Sequence, residues 1–273
     1  MLYFTVHLFH LPIINISNKM QRFTLILHHI FKLKNNMKTQ NYFRNVLVMT
    51  TLMFIANLLT AQNKKDYPLK GFDKLDMSSA FQIEVTQGSA FKVSVDAERS
   101  EDLEDLSVTI SGGTLFAKYR DGKGGWKWNN NRKKVYFTIV MPTLKMVDFS
   151  GATKSKISGF NDLEELTLEF SGAANSEINV KADKIKLDCS GASSIKMNGN
   201  ATKMNFDVSG ASNVNCYNFP VKDVDADISG ASSVKVNATK SLSVEASGAS
   251  SLRYRGQPSV KSDVSGASSV KSE

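Results

Sequence analysis

The tripeptide Ser-Gly-Ala occurs seven times in the second half of the chain, at Ser150, Ser171, Ser190, Ser209, Ser229, Ser247 and Ser265. Successive gaps are 21, 19, 19, 20, 18 and 18 residues. A nearly constant period of this length marks a solenoid, in which one coil cannot bury its apolar side alone and must stack on its neighbours. The repeat narrows the fold severely and the chemistry hardly at all.

Each coil reads as strand, tight corner, strand. One, three and five residues before the Ser the chain is mostly apolar, as in Leu166/Leu168/Phe170, Ile185/Leu187/Cys189, Met204/Phe206/Val208 and Val224/Ala226/Ile228. That is the period-two alternation of a strand with one buried face. Alternation resumes five and seven residues after the Ser, as in Ile195/Met197, Val214/Cys216 and Val234/Val236. Gly marks the corner because it reaches backbone angles that other residues resist. The following Ala is expected to fill a tight place behind it. A coil this short cannot hold a strand-helix unit of roughly 30 residues, so the prediction is an all-β chain folded as a parallel β-helix. Ile157 and Ile178 fall two places late after Ser150 and Ser171, which predicts a longer corner there. Residues 150–273 are thus the regular coils. Residues 71–149 alternate without the tripeptide, as in Phe81/Ile83/Val85 and Val135/Phe137/Ile139, and read as an irregular β-region continuous with the solenoid. Residues 62–70 read as a linker.

Residues 37–61 have the pattern of a secretory signal: Lys38 and Arg44, an apolar stretch from Val46 to Leu59, then Leu59-Thr60-Ala61 before Gln62. The apolar run is short for a membrane span of about 20 residues, so no stable span is expected after cleavage. Residues 1–36 show no fold logic and read as an upstream extension ahead of the true start at Met37. The expected location is exported: periplasm, cell envelope or extracellular. All four His lie in the first 36 residues, and six of the 34 Lys and Arg precede Gln62. The remaining chain carries 28 basic against 26 acidic residues, net +2. The apparent basicity is then mostly presequence, which removes the electrostatic case for nucleic acid.

Cys189 ends a first strand and Cys216 lies on a second strand, so the two fall at different points of the coil. A bridge needs Cα atoms within about 7 Å. Two buried free thiols are favoured over a disulfide.

Stacking turns each repeat position into a row. Two before every Ser the residue is acidic: Asp148, Glu169, Asp188, Asp207, Asp227, Glu245, Asp263. Six after it the residue is usually basic: Lys156, Lys196, Lys235, Arg253, Lys271, with Glu177 and Asn215 as exceptions. Both rows should face solvent. Stacked carboxylates repel by about 1 kcal/mol per pair unless countered. Neighbouring Ser hydroxyls and lysines such as Lys186 could compensate, or the row could collect divalent cations. The glycine-rich nonapeptide of calcium-binding β-rolls is absent.

One segment breaks the pattern. Residues 120–134 hold Gly122, Gly124 and Gly125, both Trp of the chain, and Trp126-Lys127-Trp128-Asn129-Asn130-Asn131-Arg132-Lys133-Lys134. Six basic residues against one acidic make it locally +5. Trp126, Trp128, Asn129, Arg132 and Lys133 are the candidate ligand-binding residues, suited to stacking on a sugar or gripping an anionic glycan. The alternative is a solvated hairpin loop whose Trp residues pack back onto the solenoid. Gly151, Gly172, Gly191, Gly210, Gly230, Gly248 and Gly266 are candidate structural turn residues.

Without His after residue 61, Ser-His and Cys-His mechanisms and His-bound metals are excluded. Glycoside hydrolysis needs two carboxylates in unlike environments within a cleft, and the acids here form a uniform row. A non-enzymatic chain with no cofactor and no metal is expected.

The Ser-Gly-Ala-Ser-Ser coils resemble the bacterial head GIN domain family of proposed autotransporter adhesins. Gly71-Phe72-Asp73-Lys74-Leu75 with Phe81 to Gly88 resembles that family's opening, and Gly112-Gly113-Thr114-Leu115 and Val140-Met141-Pro142-Thr143-Leu144 its middle. The resemblance covers roughly residues 71 to 270. It implies a right-handed parallel β-helix in a secreted or envelope protein, with adhesion attached by analogy. No barrel or sorting segment follows Glu273, so self-transport across an outer membrane is not expected. The readings are a binder of a glycan or other cell-surface macromolecule, a polysaccharide-acting enzyme of pectin-lyase-like architecture, or a homo-oligomeric scaffold joined through an open C-terminal coil.

Overall fold

A computed structural model of the protein describes residues 45–50, 63–120 and 132–273. The chain divides into two compact units, residues 1–59 and 60–273. Of the first, residues 45–50 are described and are helical. The expectations for residues 1–36 and for most of 37–61 lie outside the described residues.

The second unit begins with β1 (Lys64–Tyr67), β2 (Lys74–Ser78), β3 (Phe81–Gln87) and β4 (Lys92–Ala97). A short helix, Ser100–Glu104, precedes β5 (Leu106–Ser111), β6 (Thr114–Tyr119), β7 (Val135–Met141), β8 (Met146–Ser150) and β9 (Lys154–Ser158). Then come β10 (Leu163–Phe170), β11 (Asn175–Cys189), β12 (Ser194–Val208), β13 (Asn213–Ile228), β14 (Ser233–Ala246), β15 (Ser251–Arg255), β16 (Ser259–Val264) and β17 (Ser269–Ser272). The result is a parallel β-solenoid of about seven coils over residues 146–272, joined to a mixed N-terminal sheet. Residues 64–67, inside the stretch read as a linker, form an edge strand antiparallel to β4.

Two faces run the length of the solenoid. One stacks β6, β2, β8 and β10, then the C-terminal halves of β11 to β14, then β16. The other stacks β7, β3 and β9, then the N-terminal halves of β11 to β14, then β15 and β17. The chain does not build the coils in sequence order at the N-terminal end. It makes β2–β3 first, adds β6–β7 on the outer side, and returns with β8–β9 on the inner side. Beyond the outer coil, β5 and β4 run antiparallel to β6 and β7.

Inward side chains form apolar rows. Leu75, Val147, Leu168, Leu187, Phe206, Ala226 and Val244 make one such stack. Most of the largest buried rings, including Phe81, Phe137, Phe149, Phe160 and Phe170, sit toward the N-terminal end, with Phe206 and Phe219 further along. Phe149 and Phe170 meet edge to face at 6.1 Å. Towards the C-terminus the rows are mostly Val, Ala and Leu without rings, and the coils shorten from 21 to 18 residues. A narrower coil encloses less volume, so smaller residues fill it at the same density. Length differences are absorbed at the second corner, where register shifts fall between Cys216 and Pro220 and between Val221 and Asp223.

Two sequence expectations need correction. The corner after Ser150 and Ser171 is not longer. Ser155 and Ser176 stack in register with Ile195, and Ile157 and Ile178 stack on each other. The buried slot there holds two serines, whose hydroxyls bond each other at 2.6 Å. The Ala of Ser-Gly-Ala is exposed, and the next residue is the buried one: Thr153, Ala174, Ser193, Ser212, Ser232 and Ser250 are at most 2% exposed. At Ser212, Ser232 and Ser250 the hydroxyl reaches a carbonyl of the preceding coil. Ser232 Oγ donates to Gly210 O at 3.4 Å, and Ser250 Oγ to Ile228 O at 3.4 Å.

Cys189 and Cys216 are free and buried. They lie in rows on opposite faces, Cys189 stacked with Val208 and Cys216 with Val236.

Candidate functional site

Every regular corner turns on a glycine with positive φ, between 66° at Gly266 and 86° at Gly151. The N–H of the following Ala donates to the glycine oxygen of the previous coil, as from Ala231 to Gly210 O at 2.7 Å. These bonds hold the corners in a column. Gly151, Gly172, Gly191, Gly210, Gly230, Gly248 and Gly266 therefore occupy one stacked corner, with no ligand-facing side chain among them.

The column continues one coil further than the tripeptide shows. Ser78-Ser79-Ala80 is the same corner in the β2–β3 coil. Ser79 takes φ 139° without being glycine, and its N–H donates to Ser150 O at 3.1 Å. The signal that could have found it is the Ser-x-Ala spacing between two alternating strands.

In the outermost coil the corner changes character. β6 and β7 stack on β2 and β3, and the segment that links them in the sequence runs from residue 120 to residue 134. Fifteen residues link these two strands, against two to four at the other corners of this column. Trp126, Trp128 and Asn129 lie outside the described residues. The segment's end is anchored. The Arg132 guanidinium lies 3.7 Å from the centroid of the Tyr119 ring, a cation-π contact at the far side of the same corner. The Lys133 N–H donates to Asp102 Oδ2 at 3.1 Å. Asp102 is 1% exposed and also accepts from Arg99, whose Nη2 lies 3.0 Å from Oδ1. A buried carboxylate with a cationic partner and a backbone donor is satisfied on both oxygens. Arg132 thus lies over Tyr119, and both Arg132 and Lys133 are exposed.

The charged rows stand as the repeat predicts, with additions. Asp148, Glu169, Asp188, Asp207, Asp227, Glu245 and Asp263 stack residue on residue, and Asp76 adds an eighth member against Asp148. Asp148, Glu169, Asp188 and Asp207 line a shallow groove of about 430 Å³. Repulsion is partly countered within the row's own face, where Lys186 Nζ lies 2.8 Å from Asp188 Oδ2. It remains at Asp148, where burial and the carboxylates of Asp76 and Glu169 raise the pKa. Among the described residues, no three acidic, Cys or His side chains converge to hold a metal ion. On the other face Glu177 is not an irregularity. Glu84, Lys156, Glu177 and Lys196 alternate in sign along the stack, and Lys196 Nζ lies 3.7 Å from Glu177 Oε1.

Among the described residues, no helix is long and apolar enough to cross a membrane.

The chain matches one family model over residues 71–258, that of the "Putative auto-transporter adhesin, head GIN domain". No curated protein matches it significantly. Solved structures with similar folds include a "putative adhesin" from Bacteroides fragilis, 22% identical, covering 77% of this chain and 96% of that one at a TM-score of 0.68. A "putative adhesin" from Parabacteroides distasonis is 18% identical, with coverage of 77% and 96% and a TM-score of 0.60. A "putative lipid binding protein" from the same organism is 18% identical, with coverage of 77% and 96% and a TM-score of 0.61. At these identities the likeness is one of fold.

Proposed function

We propose, from the premise that this chain belongs to the head GIN domain family, that it is an exported, non-enzymatic binding protein of the cell envelope or cell surface. Its ligand class is a glycan, and the contact surface is the corner segment 120–134. The observation that carries this reading is a fifteen-residue link between β6 and β7, against two to four residues at the other corners, that holds both Trp and a local charge of +5. A solenoid gains nothing in stability from an insertion at one corner, since its stacking energy lies between coils. Its C-terminal end is held by the Lys133 N–H on buried Asp102 and by Arg132 over the Tyr119 ring. Trp faces bind sugar C–H surfaces, and flanking Asn and Lys donate to hydroxyls and acidic groups.

The family's description as an adhesin supports binding over catalysis.

Glycan-array binding tests the proposal. The chain should bind a defined subset, and Trp126→Ala with Trp128→Ala should abolish that binding while leaving the unfolding midpoint unchanged. Binding that survives the double substitution, or no binding to any glycan or cell surface, rejects it.

A further inference from the structure

The two ends of the solenoid are unlike. At the N-terminal end, β4 and β5 lie antiparallel across the last coil, and β1 follows β4 with Lys64 and Lys65 on its exposed edge. That is the usual protection of a sheet edge. At the other end β16 pairs with β14 and β17 with β15, and among the described residues nothing pairs with their outer edges. Val260 and Val264 hold the core register of Leu242 and Ala246, which are 1% and 3% exposed. They themselves are 40% and 42% exposed. The apolar rows of the core thus run out into solvent at β16.

The sequence of this strand is symmetric about Ser262. Ser259-Val260-Lys261-Ser262-Asp263-Val264-Ser265 reads Ser, Val, charge, Ser, charge, Val, Ser, and the two charges are opposite. We propose that β16 pairs antiparallel with β16 of a second copy of this chain, about a two-fold axis at Ser262, joining two solenoids end to end. In that register Val260 faces the partner copy's equivalent of Val264, and Lys261 faces that of Asp263, each pair occurring twice. Val260, Ser262 and Val264 share the inner face of the strand, and Lys261 and Asp263 the outer, so inner residues meet inner and outer meet outer. The same positions of β14, Leu242-Ser243-Val244-Glu245-Ala246, offer no such charge match. Symmetric self-complementarity is what an isologous contact needs. The contact is one coil in cross-section, less than the roughly 800 Å² per partner of a standard interface, so the dimer is reversible and concentration-dependent. The glycan reading is independent of it.

Sedimentation velocity on the full chain, from low micromolar to near-millimolar concentration, tests this inference. A monomer–dimer equilibrium is expected. Lys261→Asp and Asp263→Lys should each weaken it by about tenfold or more, since each turns two attractive pairs into repulsive ones. The double variant K261D/D263K should restore it. Ser262→Cys should give a disulfide-linked dimer on oxidation, since Cys189 and Cys216 are buried. A strict monomer at the highest concentration overturns the proposal. So does a dimer indifferent to both charge reversals, or one that the double variant fails to rescue.

Discussion

A Cβ placed on Gly230 would stand 2.5 Å from the carbonyl oxygen of Gly210 in the coil beneath. Glycine is required there twice over, by its φ of 71° and by the close approach of backbone to backbone. Gly71 separates the two causes. It has φ 79° but no atom within 4 Å of an added Cβ. Gly230→Ala should lose about 2–4 kcal/mol, combining left-handed strain with overpacking. Gly71→Ala should lose about 1–2 kcal/mol, from strain alone. Urea unfolding of both variants measures the difference, and equal losses would mean that close stacking adds nothing.

The Ser155–Ser176 hydroxyl pair makes a sharper test of the core. Ser176→Val puts an apolar residue where the row otherwise holds Ile195, Val214 and Val234. It also strands the Ser155 hydroxyl, which is 4% exposed. The single change should destabilise by about 1–3 kcal/mol, the cost of a buried unsatisfied group. Replacing both serines by Val should recover most of that loss. A double-mutant cycle by denaturant unfolding checks the coupling, and additive effects would contradict it.

The regular coils were legible because stacking copies one local pattern. The alignment of Asp188, Asp207 and Asp227 follows from spacing alone. Where the pattern had to be inferred from apolar residues, it misled: Ser155 and Ser176 satisfy each other, so a polar residue sits in a buried slot and mimics a longer corner. Asp76 and the Ser78–Ala80 corner escaped notice because Ser79 stands in the glycine position, which removes the tripeptide. The antiparallel cap of β4 and β5 was illegible for another reason. Its partners are long-range, and β6–β7 enters the stack out of sequence order, so no local period announces it. Of the candidate site, Arg132 and Lys133 are both exposed, and Arg132 also lies over the Tyr119 ring.

Asp148 carries the acidic row's unrelieved repulsion, and its effect on stability has a definite sign. Its pKa is raised in the folded state by burial first and by Asp76 and Glu169 next. The native state then holds the proton more readily than the unfolded chain, so ionisation penalises folding as pH rises through the carboxylate range. Asp148→Asn should stabilise the protein by about 0.5–1 kcal/mol at neutral pH, with solvent screening limiting the gain. Below the pKa of the unfolded Asp the charge contribution to that gain should vanish. Melting temperatures of the two proteins across this range test the prediction, and a difference that does not narrow in acid contradicts it.

The two thiols should respond differently to the same substitution. Burial pushes the Cys216 thiol far up. Cys189 is also raised by burial, but the hydroxyls of Ser212 and Ser193 hold it back. Both thiols should resist a thiol reagent in the folded protein and react together on unfolding. Cys216→Ser places a hydroxyl among apolar neighbours such as Val236 and should cost about 1–3 kcal/mol. Cys189→Ser finds Ser193 and Ser212 already beside it, so its cost should be smaller. Chemical denaturation of the two variants ranks them, and an equal or reversed order would show that the neighbouring hydroxyls do not reach the sulfur position.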